Sequence, residues 1–371
     1  MTGQERILRV GIDIRKYSDY GIGTYLQNLT AGLQERRGSE YVYFASDDVR
    51  SVAADTLRGT IITDNSARYS IRELFSLSRS ANSSGIDLFH APHYTLPFGL
   101  KMPSVVTVHD IIHLRMKEYF SPVQRMYARF MIGHACRDSS AVIVVSEFTK
   151  RELMSEFDVP EEKIHVIYNG VHDAFFTPPE DSLTRSFKER YGITDPYILY
   201  TGSVKPHKNV AVLIKALALL RKQQRVQLVM TGENSSLNKE LAGLIDRFHI
   251  KDSIIETGRI SEPDLRAAYQ SAAAVVLPSF YEGFGLSMIE AMASGIPVIG
   301  ARTSSIEEIV GDAGLLFDPR DADELHRHLV KILEDAELRA ALQRKGNIRA
   351  AQFTWQHTIE RTINVYQEVM K

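Results

Sequence analysis

Two glutamates stand eight residues apart in "SFYEGFGLSMIEAMASGIPVIG" (279–300), Glu282 before a Gly-Phe-Gly step and Glu290 after it. Pro278, Gly283 and Gly285 oppose helix up to Phe284, whereas "LSMIEAMAS" is rich in strong helix formers and Gly295-Ile-Pro297 ends it. The pattern predicts Glu282 in a strand-to-helix loop and Glu290 inside the helix, about 12 Å apart along the axis if every step were helical. Glycosidase carboxyls stand closer, roughly 5–9.5 Å apart; this gap suits the two ends of an extended ligand. Between them, glycines admit close backbone approach, and the amides of Phe284, Gly285, Leu286 and Ser287 at a helix N-terminus suit a phosphate. Carboxylates bind hydroxyls, so the ligand implied is a nucleotide sugar, with ribose near Glu290 and the transferable sugar near Glu282. A lone glutamate ordinarily sits on a solvated face, but Ile289, Ala291, Met292 and Ala293 leave little polar face beside Glu290. Its carboxylate needs hydrogen-bond partners.

Three other stretches carry chemistry. In "YTGSVKPHKN" (200–209) a strand ends at Gly202 and a helix begins near Asn209, so Lys205 and Lys208 hang over a strand end, where an ammonium suits a departing diphosphate. In "DIRKYSDYGIGTYLQNL" (13–29), Gly21 and Gly23 separate a strand from a helix. A third glycine of the dinucleotide fingerprint is missing, and a plain tight turn serves as well. "TVHDIIH" (107–113) sets His109 and Asp110 at a strand end, while Ser146 before Glu147 and Thr149 reads as a helix N-cap.

The elements that must position these residues follow βαβ grammar. Apolar runs at 7–14, 41–46, 86–92, 104–110 and 140–146, and again at 197–202, 226–232, 253–258, 273–279 and 296–301, alternate with helical patterns. The stretch "NGVHDAFFTPPEDS" (169–182) between the two sets marks a linker, and "TWQHTIERTINVYQEVMK" (354–371) reads as a final helix. Ligands of doubly wound sheets bind beyond the carboxyl ends of strands, which predicts a site in the cleft between two such domains. With 371 residues, 44% of them hydrophobic, the chain is long enough for two cores, and a formal net charge of −2 gives no bias toward nucleic acid. The single cysteine, Cys136, excludes an internal disulfide, and no Cys/His cluster has zinc-ligand spacing. With no apolar signal core at the start and no apolar run of membrane-spanning length, the expected location is cytoplasmic.

"PSFYEGFGLSMIEAMASGIPVIG" resembles the Glu-seven-residues-Glu signature of the retaining glycosyltransferases of family 4, and "YGIGTYLQNL", "TVHD", "VIVVSEFTKREL", "IHVIYNGVHD", "YTGSVKPHKN" and "TGRISEPDL" follow in family order. The resemblance covers nearly the whole chain. It implies the GT-B fold, two Rossmann-like domains facing a central cleft: an acceptor-binding domain over 1–175, joined by the C-terminal helix 355–371, and a nucleotide-sugar-binding domain over 176–354. It implies Glu282, Lys208 and His109 as catalytic residues, with His109 near the transferred sugar, and Gly21 and Gly23 near donor phosphate and acceptor. Arg259 and Ile260 would lie beside the base. Where the family often carries Arg this chain has Ser203, leaving Lys205 as the substitute second cation.

The form of the "GSVKPHKN" loop is similar to that of bacterial mannosyltransferases of surface polysaccharide assembly, which implies GDP-mannose as co-substrate, no other cofactor, no metal, and a glycan or lipid-linked acceptor. The basic and aromatic segment "RMKEYFSPVQRMYARFMIGHACR" (115–137) fits either an interfacial helix at the inner face of a membrane or an ordinary amphipathic helix packed on its sheet. A nucleotide-sugar epimerase on the same fold is the rival activity, and an inactive sugar-nucleotide-binding scaffold, favoured by Ser203 alone, is the rival class.

Overall fold

The computed structural model describes residues 7–36, 38–66, 71–194 and 196–371. The chain divides into two compact units, Met1–Gly170 with Trp355–Lys371, and Val171–Thr354.

The first unit is a parallel sheet of β1 (Leu8–Asp13), β2 (Ser39–Ala45), β3 (Thr60–Thr63), β4 (Leu88–Ala91), β5 (Ser104–Val108), β6 (Ala141–Val144) and β7 (Ile164–Val166), in the order β3-β2-β1-β4-β5-β6-β7. Strands β4, β5 and β6 are buried along their whole length, as Val- and Ile-rich runs must be when helices cover both faces. The second unit repeats the arrangement with β8 (Tyr197–Gly202), β9 (Gln227–Gly232), β10 (Ile254–Gly258), β11 (Ala274–Leu277), β12 (Val298–Ala301) and β13 (Leu315–Phe317), ordered β10-β9-β8-β11-β12-β13. Each sheet starts in the middle and reverses direction once, between β1 and β4 and between β8 and β11. Loops leaving the carboxyl ends of those strands therefore diverge and leave a crevice for a ligand. Both units are Rossmann-like, the pair of domains that the GT-B fold requires.

All ten strands expected from the sequence form; β3, β7 and β13 are additional. Each of the three is an edge strand of three or four residues, exposed enough to dilute the apolar signal.

The helix Trp355–Val369 completes the first unit's core, where Trp355, Ile359, Val365 and Tyr366 pack with Tyr25, Leu29 and Leu33 of the helix Ile22–Gln34. Tyr366 also ends a buried polar chain: its hydroxyl lies 2.6 Å from His90 Nδ1, His90 Nε2 lies 2.8 Å from Thr107 Oγ1, and Thr107 Oγ1 lies 3.2 Å from the Tyr25 hydroxyl. Burial drives the His90 pKa down to about 3, so this ring is neutral.

Helix Pro122–Asp138 starts with a capping box between Ser121 and Gln124 and has Pro122 at its first position. It buries Ala128, Met131, Ile132 and Ala135 in the core but leaves Val123, Met126 and Phe130 mostly exposed. The Phe130 ring lies 6.1 Å from Phe98, and Phe98 lies 5.8 Å from the exposed Phe75. Several basic residues of the segment are held in ion pairs, Arg115 with Glu152 and Glu156, Arg129 with Glu156, and Arg137 with Asp138. Among the described residues no helix is long and apolar enough to cross a membrane.

Candidate active site

In the second unit the switch point is framed by the loop after β8 and the loop after β11, and these carry Lys208 and Glu282. Lys208 sits in a short 3-10 turn, Pro206–Lys208, and its Nζ donates to both carboxylate oxygens of Glu282, at 2.7 and 2.9 Å. The fully buried Ser279 donates its hydroxyl to Glu282 Oε1 at 2.6 Å. The sequence assigned the ammonium to a diphosphate and the carboxylate to a sugar; the structure joins them as one ion pair.

Loop-to-loop bonds hold the pair in place. Asn209, in the left-handed conformation at φ 53°, donates through Nδ2 to Pro278 O (3.0 Å) and Pro319 O (2.7 Å), fastening the loops after β8, β11 and β13 together. Phe280 N–H donates to His207 O at 2.8 Å. The Glu282 backbone N–H donates to Ser304 Oγ (3.0 Å), and Ser305 Oγ donates to Glu282 O (2.9 Å). Ser304 has φ 53°. Of the three non-glycine residues with positive φ among those described, Asn209 and Ser304 thus hold the site loops, while His249 caps a helix. Such strain persists where the surroundings over-determine it.

Helix Leu286–Ala293 follows, with Gly285 as a left-handed N-cap that has no side chain to cap it. Gly283 and Phe284 lead into it, Phe284 buried against Phe353; Leu286 and Ser287 are its first residues. Glu290 lies inside the helix and is partly buried. The hydroxyl of Tyr269, from the helix Glu262–Gln270, donates to Glu290 Oε2 at 2.8 Å. Burial lifts the Glu290 pKa to about 7, the Tyr269 bond opposes the rise, and the charge of Glu262 adds to it.

Ser203, just past β8, is partly buried, and its carbonyl accepts from the Tyr200 hydroxyl at 2.5 Å. Lys205 is exposed at the start of the 3-10 turn. Arg259, exposed, and Ile260, partly buried, follow the end of β10. The structure places these four after the carboxyl ends of β8 and β10. A shallow depression lined by Pro178, Pro179, Leu183 and Arg266 shares no residue with this site.

In the first unit, Gly21 caps helix Ile22–Gln34 at φ 67°. Gly23 lies in the first turn, where a Cβ would fall 2.6 Å from Tyr17 O, so the loop closes tightly only on glycine. His109 follows β5 and donates through Nε2 to Pro92 O at 2.9 Å, which fixes the proton on Nε2 because a carbonyl only accepts. The Tyr25 ring meets it edge-on at 4.9 Å. Burial lowers the His109 pKa, with the Pro92 bond and Asp110 opposing and Lys16 reinforcing. A neutral imidazole with Nδ1 as acceptor can take a hydroxyl proton in a hydrogen bond. Ser146 caps helix Glu147–Glu156 by accepting from Thr149 N–H, as expected. Among the described residues no three His, Cys, Asp or Glu side chains gather as metal ligands.

Ser279, Ser304, Ser305, Asn209 and Tyr269 were not singled out by sequence. Only Asn209 carried a signal, as an Asn, tolerant of left-handed backbone, directly before the apolar run "VAVLI".

Residues 184–349 match the family model for glycosyl transferases group 1, and residues 20–175 match that for glycosyltransferase family 4. O-antigen chain mannosyltransferase B of Escherichia coli is 31% identical over 283 residues, 76% of this chain and 74% of that one. Serotype-specific mannosyltransferase WbdA of Escherichia coli is 26% identical over 292 residues, 76% of this chain but only 36% of WbdA. The crystal structure of Anabaena HepE in complex with UDP and glucose superposes with a TM-score of 0.81 at 21% identity, covering 97% of this chain and 100% of HepE. With these matches spanning both halves and the carboxylates and lysine of the signature assembled at one switch point, the chain belongs to glycosyltransferase family 4 and is a glycosyltransferase.

Proposed function

We propose that the protein transfers mannose from GDP-mannose, with retention at the anomeric carbon, to a hydroxyl of a glycan or lipid-linked saccharide in polysaccharide assembly. The observation that carries the reading is the Lys208–Glu282 pair at the β8/β11 switch point, with Glu282 three residues before Gly285, the cap of the helix Leu286–Ala293. On donor binding, Lys208 turns to the diphosphate together with the amides of Phe284 to Ser287, and Glu282 is released to accept sugar hydroxyls. Glu290 takes the ribose hydroxyls, Arg259 and Ile260 flank the base, and His109 accepts from a hydroxyl of the transferred sugar. Gly21 and Gly23 adjoin phosphate and acceptor, with the first unit binding acceptor and the second binding donor. The bond from anomeric carbon to phosphate oxygen breaks, the acceptor oxygen bonds that carbon, and its proton passes to the departing diphosphate. Ser203 leaves Lys205 to supply a second positive charge.

Mannose as the sugar rests on the loop form and on relatives named as mannosyltransferases; guanine as the base rests on the loop form alone. A thermal-shift screen decides: GDP-mannose at 100 times its Kd is expected to stabilise the second unit by about 2.7 kcal/mol, and UDP- and ADP-sugars by far less. A larger shift with a UDP- or ADP-sugar would replace the donor.

A lipid-linked acceptor requires access to a membrane face, and the exposed Val123, Met126 and Phe130, with Arg125 on the same helix, and the exposed Phe75, with Arg79 one turn along its helix, supply apolar side chains with basic neighbours, suited to an anionic bilayer. Co-sedimentation with phosphatidylglycerol vesicles, lost in Met126→Ser/Phe130→Ser, is the expected result. Full recovery of the wild type in the supernatant would remove the membrane contact from the proposal.

A further inference from the structure

We propose that Tyr269 is a positioning residue for donor binding, acting through Glu290: its phenol holds the carboxylate in the orientation that accepts the ligand's hydroxyls. The inference rests on the nucleotide-sugar reading of the site and goes beyond it in naming what aims and ionises the ribose-binding group.

The geometry is specific. Tyr269 is fully buried, its hydroxyl reaches Glu290 Oε2 at 2.8 Å and lies 3.4 Å from Thr201 Oγ1 of β8, and its ring meets Phe175 edge-on at 5.7 Å. A buried phenol with ring and hydroxyl both held has one orientation. Because an O–H donor stabilises the ionised carboxylate, Tyr269 favours the form of Glu290 that can accept two ribose hydroxyls. Glu262, on the same helix as Tyr269, acts the other way.

Charged or titratable groups on the elements around helix Leu286–Ala293 are Glu262, Asp264 and Arg266 on the Glu262–Gln270 helix that carries Tyr269; His172 and Asp173 at the turn Asp173–Phe176; Glu307 and Glu308 on the Ser304–Val310 helix; and Glu337, Arg339, Arg344, Lys345 and Arg349 on the Ala336–Ala350 helix. Of these only Glu262 registers on Glu290. His172 Nδ1 lies 3.8 Å from Glu262.

The sign of the effect is set by the raised pKa. Between the ordinary carboxyl value of 4.5 and about 7 the folded protein without ligand keeps a proton on Glu290 that the unfolded chain releases. The stability this group contributes is therefore present below 4.5 and lost as pH rises through 7. Ligand hydroxyls need the ionised form, so nucleotide affinity falls as pH drops below about 7, approaching tenfold per pH unit.

The test titrates GDP and UDP separately into wild type, Tyr269→Phe, Glu262→Gln and Glu290→Gln by calorimetry from pH 5.5 to 9. For whichever diphosphate binds, the midpoint of the affinity profile is expected to rise by about one pH unit in Tyr269→Phe, to fall in Glu262→Gln, and to vanish in Glu290→Gln. At pH 7 Tyr269→Phe should bind three- to tenfold more weakly, while kcat at saturating donor and pH 8.5 stays within about twofold of wild type. Opposite shifts from two residues of one helix are not produced by a general loss of packing. If wild type binds a diphosphate and Tyr269→Phe keeps the wild-type midpoint, the inference is overturned and the nucleotide reading stands; if wild type binds neither, both fall.

Discussion

Lys208→Ala is expected to lower the rate of sugar transfer about 100- to 1,000-fold, with Glu282→Ala falling in the same range. Each replacement removes one half of a unit in which a single ammonium contacts both oxygens of a carboxylate. Without Lys208 the departing diphosphate loses its main cation, and Glu282 is left with the Ser279 hydroxyl as the remaining donor to its carboxylate. Without Glu282 the lysine loses the group that orients it. Both side chains keep a route to water, at 23% and 13% exposure, so folding should lose no more than about 2 kcal/mol. Initial rates at saturating substrates, alongside a thermal melt, check the point. Near-normal rates in both single variants would refute the assignment of the site.

The second large effect is on stability. Gly232→Ala is expected to destabilise the second unit by about 3 kcal/mol or more and to lower its melting temperature by about 5 °C or more. Gly232 ends β9 at φ 112°, where an L side chain is strained, and a Cβ there would lie 2.4 Å from Gly202 O. That contact is with backbone, which cannot rotate away as a side chain could. The neighbouring bond from Glu233 N–H to Gly202 O, at 3.2 Å, would be lost as the strands separate. Gly202 opens the loop that carries Ser203, Lys205 and Lys208, so the folded fraction should transfer sugar more slowly as well. Urea unfolding of the variant at 25 °C measures the first effect, and a wild-type midpoint would show that the two strand ends have room to part.

What was legible in the sequence, and what was not, divides along physical lines. Central strands such as β5 and β6 are uninterrupted apolar runs because both faces are covered, so the chain announces them. Edge strands β3, β7 and β13 are short and partly exposed; their pairing is decided by the neighbouring strand rather than by their own residues. Glu282, Glu290 and Lys208 were readable because turn and helix signals place them at strand ends. Their partners were not. Ser279, in a loop, and Ser304, at a helix start, are ordinary serines until the segments after β11 and β12 meet, and Tyr269 lies 21 residues before the Glu290 it contacts. Nor could spacing show that Lys208 and Glu282, 74 residues apart, share a bond.

The return of the last helix to the first unit sets an order of events at the ribosome. Residues 1–170 emerge early but lack Trp355, Ile359 and Tyr366, and Ile359 Cδ1 occupies the hollow above Gly32 so closely that a Cβ there would sit 1.8 Å away. The half made first must therefore wait with an open hydrophobic seam while the later half is translated, and it closes only when Trp355–Lys371 arrive. Nascent chains stalled before residue 355 should accordingly be the ones that engage chaperones.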